Sequence, residues 1–458
     1  MTATEKAPLH SDDKNEKVTL HMEKRAEVQP FIQGEPSTAP IDKWSAVYLI
    51  IFLHGIGTLM PWNMFLTIAQ TYYVEYKMKG MNENGTLDST WYSDNYMSAQ
   101  NICSQLPNLL LNFINIFIVV KGDLTKRIGL SLCVVGFAVL FTMSFIFMNT
   151  WDWLGGFFVL TLVSVIILNG TNGIYQNSIF GLVSDFPFKY TNAVIIGNNF
   201  CGTFVSLINI GSLFFFKSVE WQAMVYFGIS LLTIAACFCS FFVLKKLPYY
   251  RHFAKCDEKE DAEASGETKE QEAVTPKQFI ETFKEGWIGF TNVFLVFFVT
   301  LSIFPVTMFS VVPDKESITY TMFGDLYVAF TTFLLFNLLA FIGSMLSSWK
   351  QVIDPKHMRW YVYVRVLLIP AFIFLNYLPE QRGSLPVLTT SNWPFLILGT
   401  IMSLSSGYLS SLSMMYITRY VSEDRARVAM MMAAFFLISG IVAGILFTPV
   451  LAAFVKLF

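Results

Sequence analysis

Charge is what this chain lacks. Asp, Glu, Lys and Arg make up 14% of its 458 residues, against 54% hydrophobic and 16% aromatic. That composition excludes a soluble protein of this length, and a net charge of −2 gives no sign of a nucleic-acid partner. The six cysteines are too scattered for a disulfide framework. Cys103, Cys133, Cys201, Cys237 and Cys239 fall inside apolar runs, where they read as small fillers. No HExxH, Ser/Lys pair or paired Asp stands within those runs, so an intramembrane enzyme, a metal and a cofactor are all unexpected. Residues 1–43 are polar and charged and hold no apolar segment of the kind a cleavable signal peptide carries.

What the chain has instead is long apolar sequence. A helix needs about 20 mostly apolar residues to cross a bilayer. Eleven segments approach this, near 44–73, 96–120, 128–149, 153–183, 191–216, 221–244, 287–312, 321–349, 359–378, 393–418 and 428–455. Runs this long exclude barrel strands. The expected fold is an all-α membrane protein with eleven transmembrane helices. Starting with the N-terminus inside and alternating places 24 of the 31 Lys and Arg inside and six outside, with Arg365 alone within a span. The C-terminus is then outside.

Residues 1–43 read as a disordered cytoplasmic tail. Residues 248–286, with a Glu-, Lys- and Asp-rich run from Asp257 to Glu272, read as a charged cytoplasmic linker. The linker separates an N-terminal six-helix bundle, 44–247, from a C-terminal five-helix bundle, 287–458. This six-plus-five split is similar to the layout of major-facilitator-like carriers. Asn84-Gly85-Thr86, in the loop assigned to the outside, fits a glycosylation acceptor.

The spans themselves carry neutral polar residues. Asn101, Gln105, Asn108, Asn112 and Asn115 recur at steps of four and three, so they share one helix face. Asn169, Asn172 and Gln176 repeat the pattern in the fourth span, with Ser178 close to that face. Asn63 lies in the first span and Asn337 in the eighth. Such amides serve as glue between helices or line a wet cavity, and five on one face favour the cavity. An amide offers a donor and an acceptor together, which suits a solute with mixed hydrogen-bonding edges, such as a nucleobase or a sugar, better than an ion. Carboxylates stay near the span ends, at Asp152, Asp185 and Asp325. Without a deep carboxylate to relay protons, passive transport is expected. Arg365 reads equally as a gate residue and as a structural tie, paired with carbonyls or an acid. Pro61, Pro305 and Pro370 interrupt three spans, and Trp62, directly after Pro61, is placed to stack on a planar ring. Gly440 and Gly444 mark a close helix contact.

Gly57-Thr58-Leu59-Met60-Pro61-Trp62-Asn63 resembles the first helix of the equilibrative nucleoside transporter family. The resemblance continues through Gln176-Asn177-Ser178-Ile179-Phe180-Gly181-Leu182, Phe304-Pro305, Phe336-Asn337, Arg365 with Pro370, Ser406-Gly407-Tyr408-Leu409, and Phe435-Phe436 ahead of Gly440. It covers essentially all of residues 44–458. It implies a major-facilitator-like fold, alternating access, and movement of nucleosides such as adenosine or uridine down their gradient. It implies that Leu59, Trp62 and Leu66 enclose the solute and that Gln176 bonds the nucleobase. Asn63, Ser178, Phe304 and Asn337 complete the expected site.

Two departures stand out. Where the family carries an Asp and an Arg in the eighth helix, this chain has Ala340 and Ser344. Losing both keeps the site neutral, since one alone would be an unpaired buried charge. Before and after Pro107, where relatives tend to be apolar, stand Gln105 and Asn108, which are expected to replace part of the lost contact. Neutral hydrogen bonds contribute about 1 kcal/mol against roughly 1.5–3 for charged ones, so weak affinity is expected. A carrier for another neutral polar solute and a non-transporting nucleoside sensor or scaffold stay open as alternatives. The expected location is the plasma membrane, or else an endosomal or lysosomal one. Oligomeric state is not legible.

Overall fold

The computed structural model describes residues 40–81, 87–117, 124–254 and 274–457. Residues 1–39 of the tail, the acceptor Asn84 and residues 255–273 of the linker lie outside the described residues. Apart from one two-residue hairpin, Gly80–Met81 with Leu87–Asp88, the regular structure is helical. The first six long helices are α1 (Ala46–Ile68), α2 (Trp91–Phe117), α3 (Leu124–Ser144), α4 (Leu154–Val183), α5 (Phe188–Phe215) and α6 (Val219–Leu244). A short helix, Pro248–Phe253, follows. The remaining five are α7 (Pro276–Ile303), α8 (Leu335–Trp349), α9 (Met358–Val364 and Leu368–Ile373, joined by a tight turn at Arg365–Leu367), α10 (Asn392–Tyr420) and α11 (Ala426–Leu457).

Nine of these, with their flanking turns, are long and apolar enough to cross a membrane among the described residues. The other two are α2 and α9. In α2 the amide stripe lowers the hydropathy of a helix that is long enough, at 27 residues. In α9 the turn at Arg365 divides a short helix, and Pro370 follows within the turn after it. The helix α7 starts earlier than the apolar run at 287, because Thr275 and Gln278 form a reciprocal cap around Pro276.

The backbone departs from α-helix mainly at one end of the bundle. There α1 continues as a π-helix, Ala69–Lys77, α7 breaks at Phe304–Pro305, and α8 is preceded by a second π-helix, Ala329–Leu334. At this end too, Arg382 closes α9 by donating to the carbonyls of Ile373, Leu375 and Tyr377 at 2.8, 3.2 and 2.9 Å. The other end carries Lys126, Arg127, Lys189, Lys350, Lys356, Arg359, Arg419, Arg425 and Arg427, and is called the basic end below.

Within α1–α6, α1 packs on α5 and α6, α2 on α4, and α3 on α4 and α6. Within α7–α11, α7 packs on α11 and α10, and α8 on α10. The two groups meet where α5 lies against α8 and α10, and where α11 lies against α2 and α4. Two glycines of the second group permit close backbone approaches. A Cβ on Gly407 of α10 would lie 1.8 Å from the Ala340 carbonyl oxygen of α8, and one on Gly440 of α11 would lie 2.4 Å from that of Phe294 in α7. The contact expected of Gly440 and Gly444 is therefore with α7, where Gly444 meets Phe298.

Candidate solute-binding site

The helices α2 and α4 cross at Gly173, where a Cβ would lie 2.5 Å from Asn108 Oδ1 and 2.8 Å from the Asn108 carbonyl. This crossing divides the amide stripe in two. Toward the basic end the amides bond to one another. Asn115 donates to Asn177 Oδ1 at 2.8 Å, and Asn177 donates to Asn112 Oδ1 at 3.1 Å. Asn177 also donates to the Met431 carbonyl of α11 at 3.0 Å, which joins the two groups of helices. Asn112 and Asn115 are thus interhelical glue. Asn177 was not singled out by the sequence, because it lies one position, about 100° of helix, away from Gln176.

Around the crossing other amides leave an oxygen unpartnered, although Asn169 of α4 donates to the Val165 carbonyl at 3.0 Å. Asn108 Oδ1, Asn172 Oδ1 and Gln176 Oε1 are buried and accept no hydrogen bond among the described residues. Gln105, also buried, has no hydrogen-bond partner there either. Asn172 and Gln176 are one turn apart and share a face. A buried acceptor left unmade costs roughly 1–3 kcal/mol, so three near one helix crossing form a polar surface suited to a solute.

On α1, Leu59, Trp62, Asn63 and Leu66 form a half-buried stripe, while Met60, Pro61, Met64 and Phe65 between them are buried. Asn63 Nδ2 sits 3.7 Å from Cys201 Sγ of α5. On the other group of helices the polar candidates are already engaged. Asn337 donates to Ser206 Oγ of α5 at 3.1 Å and to its own Phe333 carbonyl at 2.9 Å. Ala340 is 2% exposed, against Gly407, and its carbonyl accepts from Asn199 of α5 at 3.5 Å. Ser344 is fully buried, donates to Phe341, and its carbonyl accepts from Asn192 of α5 at 3.3 Å. Phe304 stacks on Phe336, with ring centroids 3.8 Å apart and planes at 15°. Ser178 is fully buried and turns back on its own helix, donating to the Ile174 carbonyl at 2.7 Å.

Arg365 is 4% exposed and bonds four neutral acceptors: Ser405 Oγ at 3.0 Å, the Val296 carbonyl at 3.1 Å, Thr300 Oγ1 at 3.0 Å and the Met402 carbonyl at 3.3 Å. All belong to α7 and α10, so the guanidinium ties three helices of one group. A second buried polar link, absent from the sequence reading, joins His54 of α1 to Tyr175 Oη of α4 at 2.7 Å. A lone histidine at mid-span was its only sequence signal. Among the described side chains, which do not include that of Asp325, no Asp or Glu is buried.

Residues 162–453 match the model of a family described as nucleoside transporter. The chain belongs to the nucleoside transporter family. It is similar to equilibrative nucleoside transporter 2 of Homo sapiens, 28% identical over 89% of this chain and 96% of that one. It is likewise similar to equilibrative nucleoside transporter 3 of Rattus norvegicus, 26% identical over 88% of each. In fold it resembles a proton:xylose symporter of the major facilitator superfamily, with a TM-score of 0.54 at 11% identity over 87% of each chain. A human organic anion transporter, MFSD10, gives 0.50 at 14% identity over 91% of this chain and 95% of that one. This nucleoside transporter family member is therefore an all-helical, multi-pass membrane protein with a major-facilitator-like fold, and its family is one of transporters, not enzymes.

Proposed function

We propose that this protein moves nucleosides such as adenosine and uridine across a membrane by facilitative alternating access. The three unpartnered amide oxygens of Asn108, Asn172 and Gln176 carry this reading, together with the family. They offer neutral hydrogen bonding to a base edge, and the half-buried Trp62 and the Phe304–Phe336 stack offer aromatic faces for its ring. Leu59, Asn63 and Leu66 extend the α1 wall. The absence of a buried carboxylate among the described side chains, Asp325 not being one of them, supports passive transport.

In this reading all eleven long helices span, including α2 and α9. The basic end is cytoplasmic with the N-terminus, and the C-terminus is outside. Residues 44–247 and 287–458 form the two bundles, and 248–286 link them. The plasma membrane is the proposed location, with Asn84 glycosylated outside. The contacts of Asn177 with Met431 and of Arg427 with Asp185 close the cytoplasmic side. Access is then from the other side, where the helices are broken and re-formed as π-helix.

Affinity is weak because Ala340 and Ser344 supply no charge and are spent on α5 and α10. Gln105 and Asn108 make up part of that loss. Binding of labelled uridine to purified protein, displaced by unlabelled adenosine, tests this. Gln105→Leu with Asn108→Leu should weaken binding by roughly 30-fold, at about 1 kcal/mol each. Unchanged binding in the double variant would remove both residues from the site, and absent displacement would remove nucleosides as the solute.

A further inference from the structure

The loop between α8 and α9 is held by three tyrosines of α10. Tyr408 Oη donates to the Lys350 carbonyl at 2.8 Å and accepts from Val352 N at 2.9 Å. Tyr416 Oη donates to the Ile353 carbonyl, and Tyr420 Oη to that of Pro355, each at 2.9 Å. Ile353 and Met358 are buried beneath the loop. With its backbone fixed from below, and Gln351 turned in against Met415, the loop presents several other side chains outward. Trp349 is 89% exposed, Val352 69% and Trp360 57%. Lys350, Lys356 and His357 are exposed. Arg359 lies 5.1 Å over the Trp360 ring, and its Nε is buried without a hydrogen-bond partner. Between Trp349 and Trp360 the chain has three Lys or Arg and one carboxylate, Asp354.

Two chemistries meet here. Tryptophans at the ends of membrane helices settle at headgroup depth. Lys and Arg beside them attract anionic lipid, and Arg pairs well with phosphate oxygens. Other arginines at the basic end are already engaged. Arg425 pairs with Glu281 at 3.0 Å and Glu285 at 3.3 Å, Arg427 pairs with Asp185 at 2.6 Å, and Arg419 lies over Phe188 and Tyr416. Where α9 spans the bilayer beside α8, as in the function proposed above on which this inference rests, the loop lies at the membrane boundary whichever side it faces.

We propose that this loop binds the headgroup of an anionic phospholipid, with Lys350 and Arg359 on the phosphate and Trp349 and Trp360 flanking the glycerol region. The site is separate from the solute site and does not depend on which solute is carried. The tyrosine clamp keeps its shape fixed, so little ordering is needed on binding.

The test uses the full chain in nanodiscs of phosphatidylcholine, with or without a minority of phosphatidylglycerol. The wild type should retain phosphatidylglycerol in native mass spectrometry and unfold at a higher temperature when it is present. A Lys350→Gln, Arg359→Gln variant should retain roughly 30-fold less, given the attraction of each cation to an anionic surface. Its unfolding temperature in phosphatidylcholine alone should not change. Lys350→Gln alone, at an exposed position, should show a partial loss and covers a failure of the double variant to fold. Equal retention by wild type and variants would overturn the proposal. So would a wild type indifferent to phosphatidylglycerol, or inorganic phosphate stabilising the protein as well as the lipid does.

Discussion

Asn177→Leu is expected to destabilise the protein and to open its basic end. The side chain is fully buried and donates to both Asn112 Oδ1 and the Met431 carbonyl, while its own oxygen accepts from Asn115. Leucine fills similar space but leaves the Asn112 oxygen and the Asn115 amide nitrogen unpartnered. At about 1–3 kcal/mol each, the loss is roughly 2–6 kcal/mol. It falls on the closed arrangement above all, because the Asn177 to Met431 bond crosses from α4 to α11 and must break for the two groups to part. A reporter measures this directly. Gly181 faces Met431, and a Cβ there would lie 3.3 Å from Met431 Cγ, a tight contact to which the flexible Met431 side chain must yield. A Gly181→Cys reporter should react faster with an aqueous maleimide when Asn177 is leucine than when it is intact, and the protein should unfold at a lower temperature. Equal labelling and equal unfolding temperatures would show that the amide cluster does not lock the basic end.

Gln176→Leu is expected to leave the fold intact and to weaken nucleoside binding. Gln176 Oε1 accepts no bond among the described residues, so leucine strands no protein group. The solute's matching edge, however, would enter a site from which water is excluded and find nothing to bond. That costs roughly 1–3 kcal/mol, or about 5- to 150-fold in Kd. Calorimetric titration of the purified variant with adenosine, beside a melting curve, separates the two effects. An unchanged Kd would remove Gln176 from the site, whatever the melting curve does.

These neighbouring residues show what the sequence disclosed. The spacing of Asn101, Gln105, Asn108, Asn112 and Asn115 puts five amides on one face of α2, and the structure keeps them on one helix. Spacing says which residues share a face, but not what stands opposite each of them. The partner of Asn115 is 62 residues away on α4, and that of Asn177 is 254 residues away on α11. The division into a bonded half and an unpartnered half was therefore out of reach, and Asn177 was passed over beside Gln176. Arg365 gives the opposite case. A lone charge within an apolar run pointed to a special position, but only the fold shows that its partners are carbonyls and hydroxyls of α7 and α10.

The long helices were legible from their apolar runs, because a membrane-spanning run is a composition signal as much as a pattern. Their ends were less so. Thr275 and Gln278 start α7 within the polar linker, since capping is a local hydrogen-bond event to which hydropathy is blind. Ala340 shows a further limit. Its replacement of an expected acid was visible, but its backbone contact with Gly407 was not.

The central claim is facilitative transport through a neutral site, and uptake by proteoliposomes tests it most directly. Purified protein is reconstituted, and entry of labelled adenosine and uridine is followed at neutral and acidic outside pH. The account predicts saturable entry of both, each inhibiting the other, with the same rate at either pH and no accumulation above the outside concentration. Uptake driven by acid would contradict it, and so would nucleoside binding without any flux.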